Sequence, residues 1–454
     1  MSASTTVDVI ILGSGPAGTA TALGLGKLGY EVVVISSPRG FRACEGVSER
    51  VLEGLRSAGC HRACAALPPP TPRNVRWNGV TSSANQERLV LREEFDKALL
   101  EDLHQGGIKL VPARVSGIAW PEDSLARVSL EDHGGKETRI SASFVVEARG
   151  RTAPGGGEAR IRGPETVSLL QHWRGPRCTP QSMAASFADG WAWLARTADG
   201  QRFTQVTLAA DAADFPKKSA LRDYYFQHLG SVDEAAEFYQ DADPQGELTA
   251  RSSTAVLHDD TVQGRFIRIG DAAIAPDPLS GNGIFNALST ALVAPAVINT
   301  ILQSPSHASL AAHFYEERVR HSFMRFARIG RDFYTMEESW PASRFWRARA
   351  QWPDAEPAHG SLAPQIVAIA NKPVVDNYQI REREVVVTSD QPPGVWHIDG
   401  IELAPVVKAL RGRPLQTINE LYEYLPSVVS ADKHQLPLLV AWLMKYGLVQ
   451  ASEV

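Results

Sequence analysis

Cysteine is scarce in this 454-residue chain, with four residues, Cys44, Cys60, Cys64 and Cys178, and no CxxC pair. They are too few to staple a chain of this length, which excludes a disulfide framework and fits a reducing compartment. A charge excess of one sign is also lacking. The chain has 46 Lys+Arg against 51 Asp+Glu, a formal net charge of -5, so nothing electrostatic points to nucleic acid or an anionic membrane as partner. Long hydrophobic runs are missing too. The longest wholly nonpolar stretches, such as residues 436–444, fall short of the roughly 20 residues of a membrane span. The opening has no basic segment before its apolar run, so it reads as a first strand and not as a signal peptide. The expectation is a soluble, cytoplasmic protein.

What is present is ordinary globular composition, 44% hydrophobic and 21% charged, in a length that allows two or three domains of about 150 residues. Val7 to Leu12 is a β-branched apolar strand, and Gly13-Ser14-Gly15-Pro16-Ala17-Gly18 follows it directly and opens an Ala/Leu-rich helix to about Leu28. GxGxxG in that setting has a physical reading. Gly13 permits the tight turn, Gly15 lets a pyrophosphate approach the backbone, and Gly18 lets the helix pack close to the strand. A second strand, Tyr30 to Ile35, completes the βαβ unit. The acidic residue that usually ends it is replaced by Ser36 and Ser37, whose hydroxyls would make single bonds to a ribose.

Far downstream, the strand Phe266 to Ile269 runs into Gly270-Asp271, then Pro276-Asp277-Pro278-Leu279-Ser280-Gly281-Asn282-Gly283 and a small-residue helix. Asp271 can accept bonds from ribitol hydroxyls, and the Gly281/Gly283 turn exposes N–H groups at a helix start. The combination points to FAD and not NAD.

At this point the sequence resembles the FAD-dependent monooxygenase superfamily of p-hydroxybenzoate hydroxylase, geranylgeranyl reductases and tryptophan halogenases. Leu91 to Leu99 is similar to that superfamily's RxxFDxxL helix start, which implies that Arg92 lies near the FAD. Val145 to Arg151 is similar to the middle motif that closes the FAD fold. The resemblance implies an α/β protein: a discontinuous Rossmann-like FAD-binding domain (1–68, 86–164 and 255–300) with an antiparallel-sheet substrate domain (69–85 and 165–254). A helical cap (301–369) follows, then a small C-terminal domain with a winged-helix-like outline (370–454). In the last part, Arg383 to Thr388 reads as a strand, Asp390 to Gly394 as a turn, Leu415 to Tyr424 and Asp432 to Tyr446 as helices, and Gly447-Leu448-Val449 as a closing strand.

Several segments bear on the chemistry. Gly190-Trp191-Ala192-Trp193-Leu194-Ala195-Arg196 is similar to the GWxWxIP motif of halogenases, with the final Ile-Pro replaced. Halogenases also use a lysine between the first and middle flavin motifs, and no lysine occurs between Lys27 and Lys97. Halogenation is therefore disfavoured. Phe41 to Arg50 is similar to a reductase segment near the flavin, with Glu45 and Gly46 exchanged in order. Hydroxylation through a C4a-hydroperoxyflavin needs a dry site beside an electron-rich ring. Asp277 leads the candidate polar groups, as proton shuttle or as a cap of its loop, followed by Glu45 and by His258, which otherwise reads as a surface histidine. Trp191 and Trp193 share a strand face and either wall an aromatic pocket or fill the core. Cys60, His61 and Cys64 read as packing, with no metal site expected.

The resemblance, to tryptophan-modifying flavoprotein monooxygenases in particular, implies hydroxylation of an indole ring, a tryptophan side chain of a partner polypeptide during quinone cofactor (tryptophylquinone) biogenesis, with NAD(P)H as reductant. Alternatives are an FAD hydroxylase of a free aromatic metabolite, an FAD-dependent prenyl-chain reductase, and a non-catalytic flavin-fold peptide-binding protein. Eight arginines between Arg318 and Arg349, interleaved with aromatic residues, are either solvated cap residues or a docking surface for an acidic protein. The C-terminal domain is a second candidate contact.

Overall fold

A computed structural model describes residues 5–37, 39–121, 125–132, 134–155, 160–212, 215–358, 364–411, 418–429, 432 and 434–448. The chain divides into two compact units, residues 1–298 with 315–356, and residues 299–314 with 357–454. The expected cap is thus split, its central part belonging to the first unit and its flanks to the second.

The first unit is built on two eight-stranded sheets, with a short three-stranded one of Arg160–Arg162, Val256–His258 and Ile274–Ala275. The run that opens the sequence forms the strand Thr5–Leu12, in which Val9, Ile10, Ile11 and Leu12 are fully buried. A strand covered on both faces reads as a continuous apolar run, and each such side chain contributes roughly 1.5–3 kcal/mol on burial. It lies between Val32–Ser36 and Glu137–Glu147, with Lys109–Pro112 and Phe266–Arg268 outside them, all parallel. The register sets Leu12 beside Ile35 and Glu147, so the strand ends carrying the glycine motif, the serines, the middle motif and Gly270-Asp271 lie together. That is the carboxyl edge where open α/β sheets bind ligands.

The second sheet has eight strands in the order Asp243–Ser252, Thr166–Arg174, Gln201–Ala209, Gly190–Arg196, Gln181–Phe187, Thr71–Trp77, Val80–Leu91, Cys44–Val47. It is antiparallel except where Gln181–Phe187 runs parallel to Thr71–Trp77. Cys44–Val47 and the end of Val80–Leu91, expected in the FAD-binding part, belong here. Alternation divides its faces. Val167, Leu169, Ala192, Leu194, Val206 and Leu208 pack with Tyr225, Leu229 and Phe238. Ser168, Leu170, Trp191, Trp193 and Gln205 point the other way, into a cleft.

The helix Gly283–Gln303 is long and apolar enough to cross a membrane by length and composition, although Asn286, Ser289 and Thr290 interrupt its nonpolar run; two-thirds of its apolar stretch is buried inside the protein. Thr21 Oγ1 donates to Ala291 O, and Gly24 approaches Pro295 so closely that a Cβ would sit 2.7 Å from its ring. It is packed as a core helix.

In the second unit, Ile366–Asp376, Gln379–Thr388 and Gln391–Val395 form an antiparallel sheet. Asn377 and Tyr378 both take positive φ (46° and 58°), as a two-residue hairpin turn requires. Helices Leu403–Arg411, Ile418–Val428 and Leu436–Lys445 pack around Val386, Val407, Leu425 and Leu443. The expected outline needs correction on three points. Residues 391–395 are strand and not turn, Leu403–Arg411 is an additional helix, and Gly447-Leu448 is a turn, with Val449 outside the described residues. Apolar burial at Val407 and Leu410 decided the helix, where Pro405 and the exposed Lys408 had hidden its pattern.

Candidate active site

A cleft of about 1490 Å³ lies between the parallel sheet's carboxyl edge and the polar face of the large sheet. Its first wall is backbone. Gly13 has φ +113°, and a Cβ there would come within 2.6 Å of Ala148 O; at Gly18 it would meet Gly13 O at 1.9 Å. A Cβ at Gly15 would meet nothing within 4 Å, so that glycine keeps space open at the N-terminus of the helix Pro16–Lys27, which has no acidic residue in its first turn. Those are the requirements of a pyrophosphate cradle. Pro16 and Ala17 line it, Ser36 and Ser37 stand at the next strand end, and Ser14 Oγ lies 2.6 Å from Ser36 Oγ, forming a hydroxyl pair where an acid is usual.

Opposite, Gly270 (φ +57°) donates to Thr290 Oγ1, and Asp271 extends beside Arg151 at 3.6 Å. Burial raises the Asp271 carboxyl while Arg151 opposes it. Arg151 also donates to Thr254 O and Pro276 O, tying the middle motif to the flavin loop. Pro278, Gly281 and Gly283 line the cleft, and Cβ positions at both glycines are open. Gly18 and Asn282 do not line it: Gly18 serves helix packing, and the Asn282 amide donates to Ser280 O within the loop.

Arg92 is nearly buried, held by Glu45 (2.5 Å) and Asp96 (2.7 Å). Desolvation would lower its pKa, but the two carboxylates outweigh it and fix the charge. Glu45 is therefore committed to Arg92 as well as facing the cleft.

The substrate side is aromatic and acidic. Trp191 Nε1 donates to Tyr334 Oη (3.2 Å), and Tyr334 Oη donates to Asp277 (3.1 and 3.2 Å). Asp277 Oδ1 also accepts from Leu279 N (2.9 Å), so it caps the Pro278–Ser280 turn and lines the cleft at once. Desolvation raises its carboxyl, partly offset by the Leu279 amide and Tyr334. Burial, reinforced by Asp277, pushes the Tyr334 hydroxyl well above its usual range, so it remains a donor. Trp191 and Trp193 both line the cleft, and Trp191 is also buried against Tyr334, Phe345 and Trp346.

Sequence reasoning missed two residues. Glu87, buried on Val80–Leu91, accepts from Trp193 Nε1 (3.2 Å) and stands 3.7 Å from Arg73 Nε. Gly46 makes room for it, since a Cβ would fall 2.1 Å from Glu87 Oε2. The order Glu45-Gly46 was the available signal. Tyr334 lies in the basic-aromatic run with nothing local to mark it. His258, by contrast, is buried in Val256–His258 and does not line the cleft, so it is neither a surface residue nor a site residue.

Some of the cap arginines are engaged within the protein, while Arg318, Arg320, Arg325, Arg344 and Arg347 remain exposed. Arg328 and Arg331 bond Asp354, Arg344 bonds Asp211, and Arg349 is buried against Thr166 Oγ1 and the Phe345 ring.

The glycine cradle and the Gly270-Asp271 strand end beside it in one cleft decide the family. The chain belongs to the FAD binding domain family. That family matches residues 6–322. The peptidyl tryptophan dihydroxylase QhpG, described as essential for tryptophylquinone cofactor biogenesis, is 43% identical; the match covers 98% of this chain and all of that one, with a TM-score of 0.82. The flavin-dependent halogenase CmlS shares the fold at 17% identity, covering 90% of this chain and 88% of its own, with a TM-score of 0.73. A tryptophan 2-halogenase from Chondromyces crocatus is 24% identical over 75% of this chain and 70% of its own length. A digeranylgeranylglycerophospholipid reductase from Methanococcoides burtonii is 24% identical over 70% of this chain and 80% of its own. The chain is an FAD-dependent oxidoreductase of the monooxygenase type.

Proposed function

We propose that this protein hydroxylates the indole ring of a tryptophan carried on a partner polypeptide, during maturation of a quinone cofactor. The observation that carries the reading is the likeness to the peptidyl tryptophan dihydroxylase across essentially the whole of both chains, well above the similarity to the halogenases. The absence of lysine between Lys27 and Lys97 supports it against halogenation.

FAD would be held by the Gly13–Gly18 cradle, Ser36, Arg92, Asp271 and the Gly281–Gly283 turn. When bound it supplies oxygen activation. The chain's own groups do the rest. Trp191 and Trp193 provide an aromatic wall against which an indole can stack. Glu87 fixes Trp193 and offers a carboxylate to that half of the cleft. Asp277 is placed to exchange a proton, because its raised pKa brings it nearer the working range, and Tyr334 holds it in position.

NAD(P)H fits as reductant. With a single GxGxxG it would dock transiently or act through a separate reductase. The free thiols of Cys44, Cys60, Cys64 and Cys178 support a cytoplasmic location. For a protein partner, the few cap arginines left without a described carboxylate and the C-terminal unit are candidate contacts. The test is NAD(P)H oxidation by the FAD-loaded protein with a tryptophan-bearing polypeptide or a free aromatic. Stimulation coupled to oxygenation of the polypeptide supports the reading; coupling to the free compound alone refutes it.

A further inference from the structure

Asp243–Ser252 is the outermost strand of the large sheet, paired on one side only with Thr166–Arg174 among the described residues, and most of it is exposed. Folded proteins usually protect such an edge, and here the protection is uneven. Its first half carries Pro244, Gly246 with φ +68° and a register shift opposite Leu170/His172. Its second half is regular, with Ala250 opposite Leu169, Arg251 opposite Ser168 and Ser252 opposite Val167.

Inward and outward amides follow from that register. Ser253 N donates to Thr166 O, so residues 253 and 251 turn their backbone groups to the neighbouring strand. Ala250 and Ser252 turn theirs to the open edge, and both are exposed. This unprotected half is the half that meets the cleft, since Arg251, Ser252 and Ser253 are among its lining residues. Arg251 lies 3.1 Å from the centre of the Phe41 ring, and Arg39 near it adds a second positive charge.

We infer that this edge is the docking strand for the substrate: an extended segment of the partner polypeptide pairs with Ala250 and Ser252 and delivers its tryptophan over the cleft, with an acidic side chain near Arg251. Strand addition supplies affinity through main-chain bonds and leaves alternate side chains free to enter a pocket. The cleft face of a strand added there is the face of Arg251, which is where the reactive side chain would point. The inference rests on the reading of the protein as a peptidyl tryptophan hydroxylase.

The test uses the FAD-loaded full chain and two synthetic peptides of about ten residues, each with a central tryptophan, a glutamate two positions away and β-branched flanks. One of them is N-methylated at alternate amides. Hydrogen exchange at Ala250 and Ser252 should slow by at least about tenfold with the plain peptide and not with the methylated one, the loss expected from about one main-chain bond. No slowing with the plain peptide, or equal slowing with both, overturns the proposal. Ala250→Pro removes one outward donor and spares the inner ladder. It should raise KM for the plain peptide by about tenfold with kcat within about twofold, and FAD content and unfolding midpoint report whether the variant folds. An unchanged KM in folded A250P refutes edge pairing. Protection without oxygenation of the peptide leaves the edge standing and sinks the hydroxylase reading; oxygenation without protection does the reverse.

Discussion

Replacing Tyr334 with Phe tests how the site holds its proton. The ring stays packed, with Phe345 and Trp346 at centroid distances of 5.9 and 5.8 Å, so the change removes a hydroxyl and little else. Two partners lose a bond at once. Trp191 Nε1 is left buried with no acceptor described, and Asp277 keeps only the Leu279 amide. An orphaned buried donor costs about 1–3 kcal/mol, and a bond to a charged acceptor is worth a similar amount, so Y334F should lose about 2–6 kcal/mol of stability. The same bond holds the Asp277 carboxyl down against burial. Its loss should raise that pKa further. Acting as a proton acceptor, Asp277 must be ionised, so activity falls as pH drops through its raised pKa. The acid limb of kcat/KM for polypeptide hydroxylation should therefore move upward in Y334F. Urea unfolding gives the stability and a pH–rate series gives the limb. An unmoved limb in a folded variant refutes the coupling of Tyr334 to Asp277.

Three further outcomes follow from the same geometry. Gly15→Val points a side chain into open space, so FAD content of the purified protein should collapse while the apoprotein's unfolding midpoint stays near wild type; Gly18→Ala, 1.9 Å from Gly13 O, should lose both. Arg92→Met leaves Glu45 without its cation while Asp96 keeps Arg39 at 2.9 Å, at a cost of about 1–2 kcal/mol after allowing for partial exposure, and should weaken FAD binding in a fluorescence titration. Glu87→Gln keeps an acceptor for Trp193 but removes the charge; near-normal stability by calorimetry with kcat lowered by at least about tenfold would place the carboxylate in the reaction, and an unchanged kcat would confine it to packing.

Local chemistry explains what the sequence reveals. Gly13, Gly15 and Gly18 sit within six residues of the strand end they serve, and Gly270-Asp271 ends another strand of the same sheet, so spacing and flanking pattern suffice to find them. Trp191 and Trp193 are legible for the same reason, as alternate residues of one strand. Glu87 is not, because its meaning comes from Gly46 and Trp193, 41 and 106 positions away. Tyr334 reaches Asp277 across 57 residues, and its helix shows only aromatic and basic periodicity. The arginine run is only partly legible for a related reason: composition shows the cations, while Asp354 and Asp211, which pair with Arg328, Arg331 and Arg344, become neighbours only in the fold.

The central claim is that oxygen is transferred to a tryptophan within a polypeptide. Tandem mass spectrometry after incubating the FAD-loaded protein with NAD(P)H, isotopically heavy oxygen gas and the polypeptide tests it most directly. The account predicts heavy oxygen on the indole ring of one tryptophan. An unlabelled polypeptide beside a labelled small aromatic or prenyl compound would contradict it.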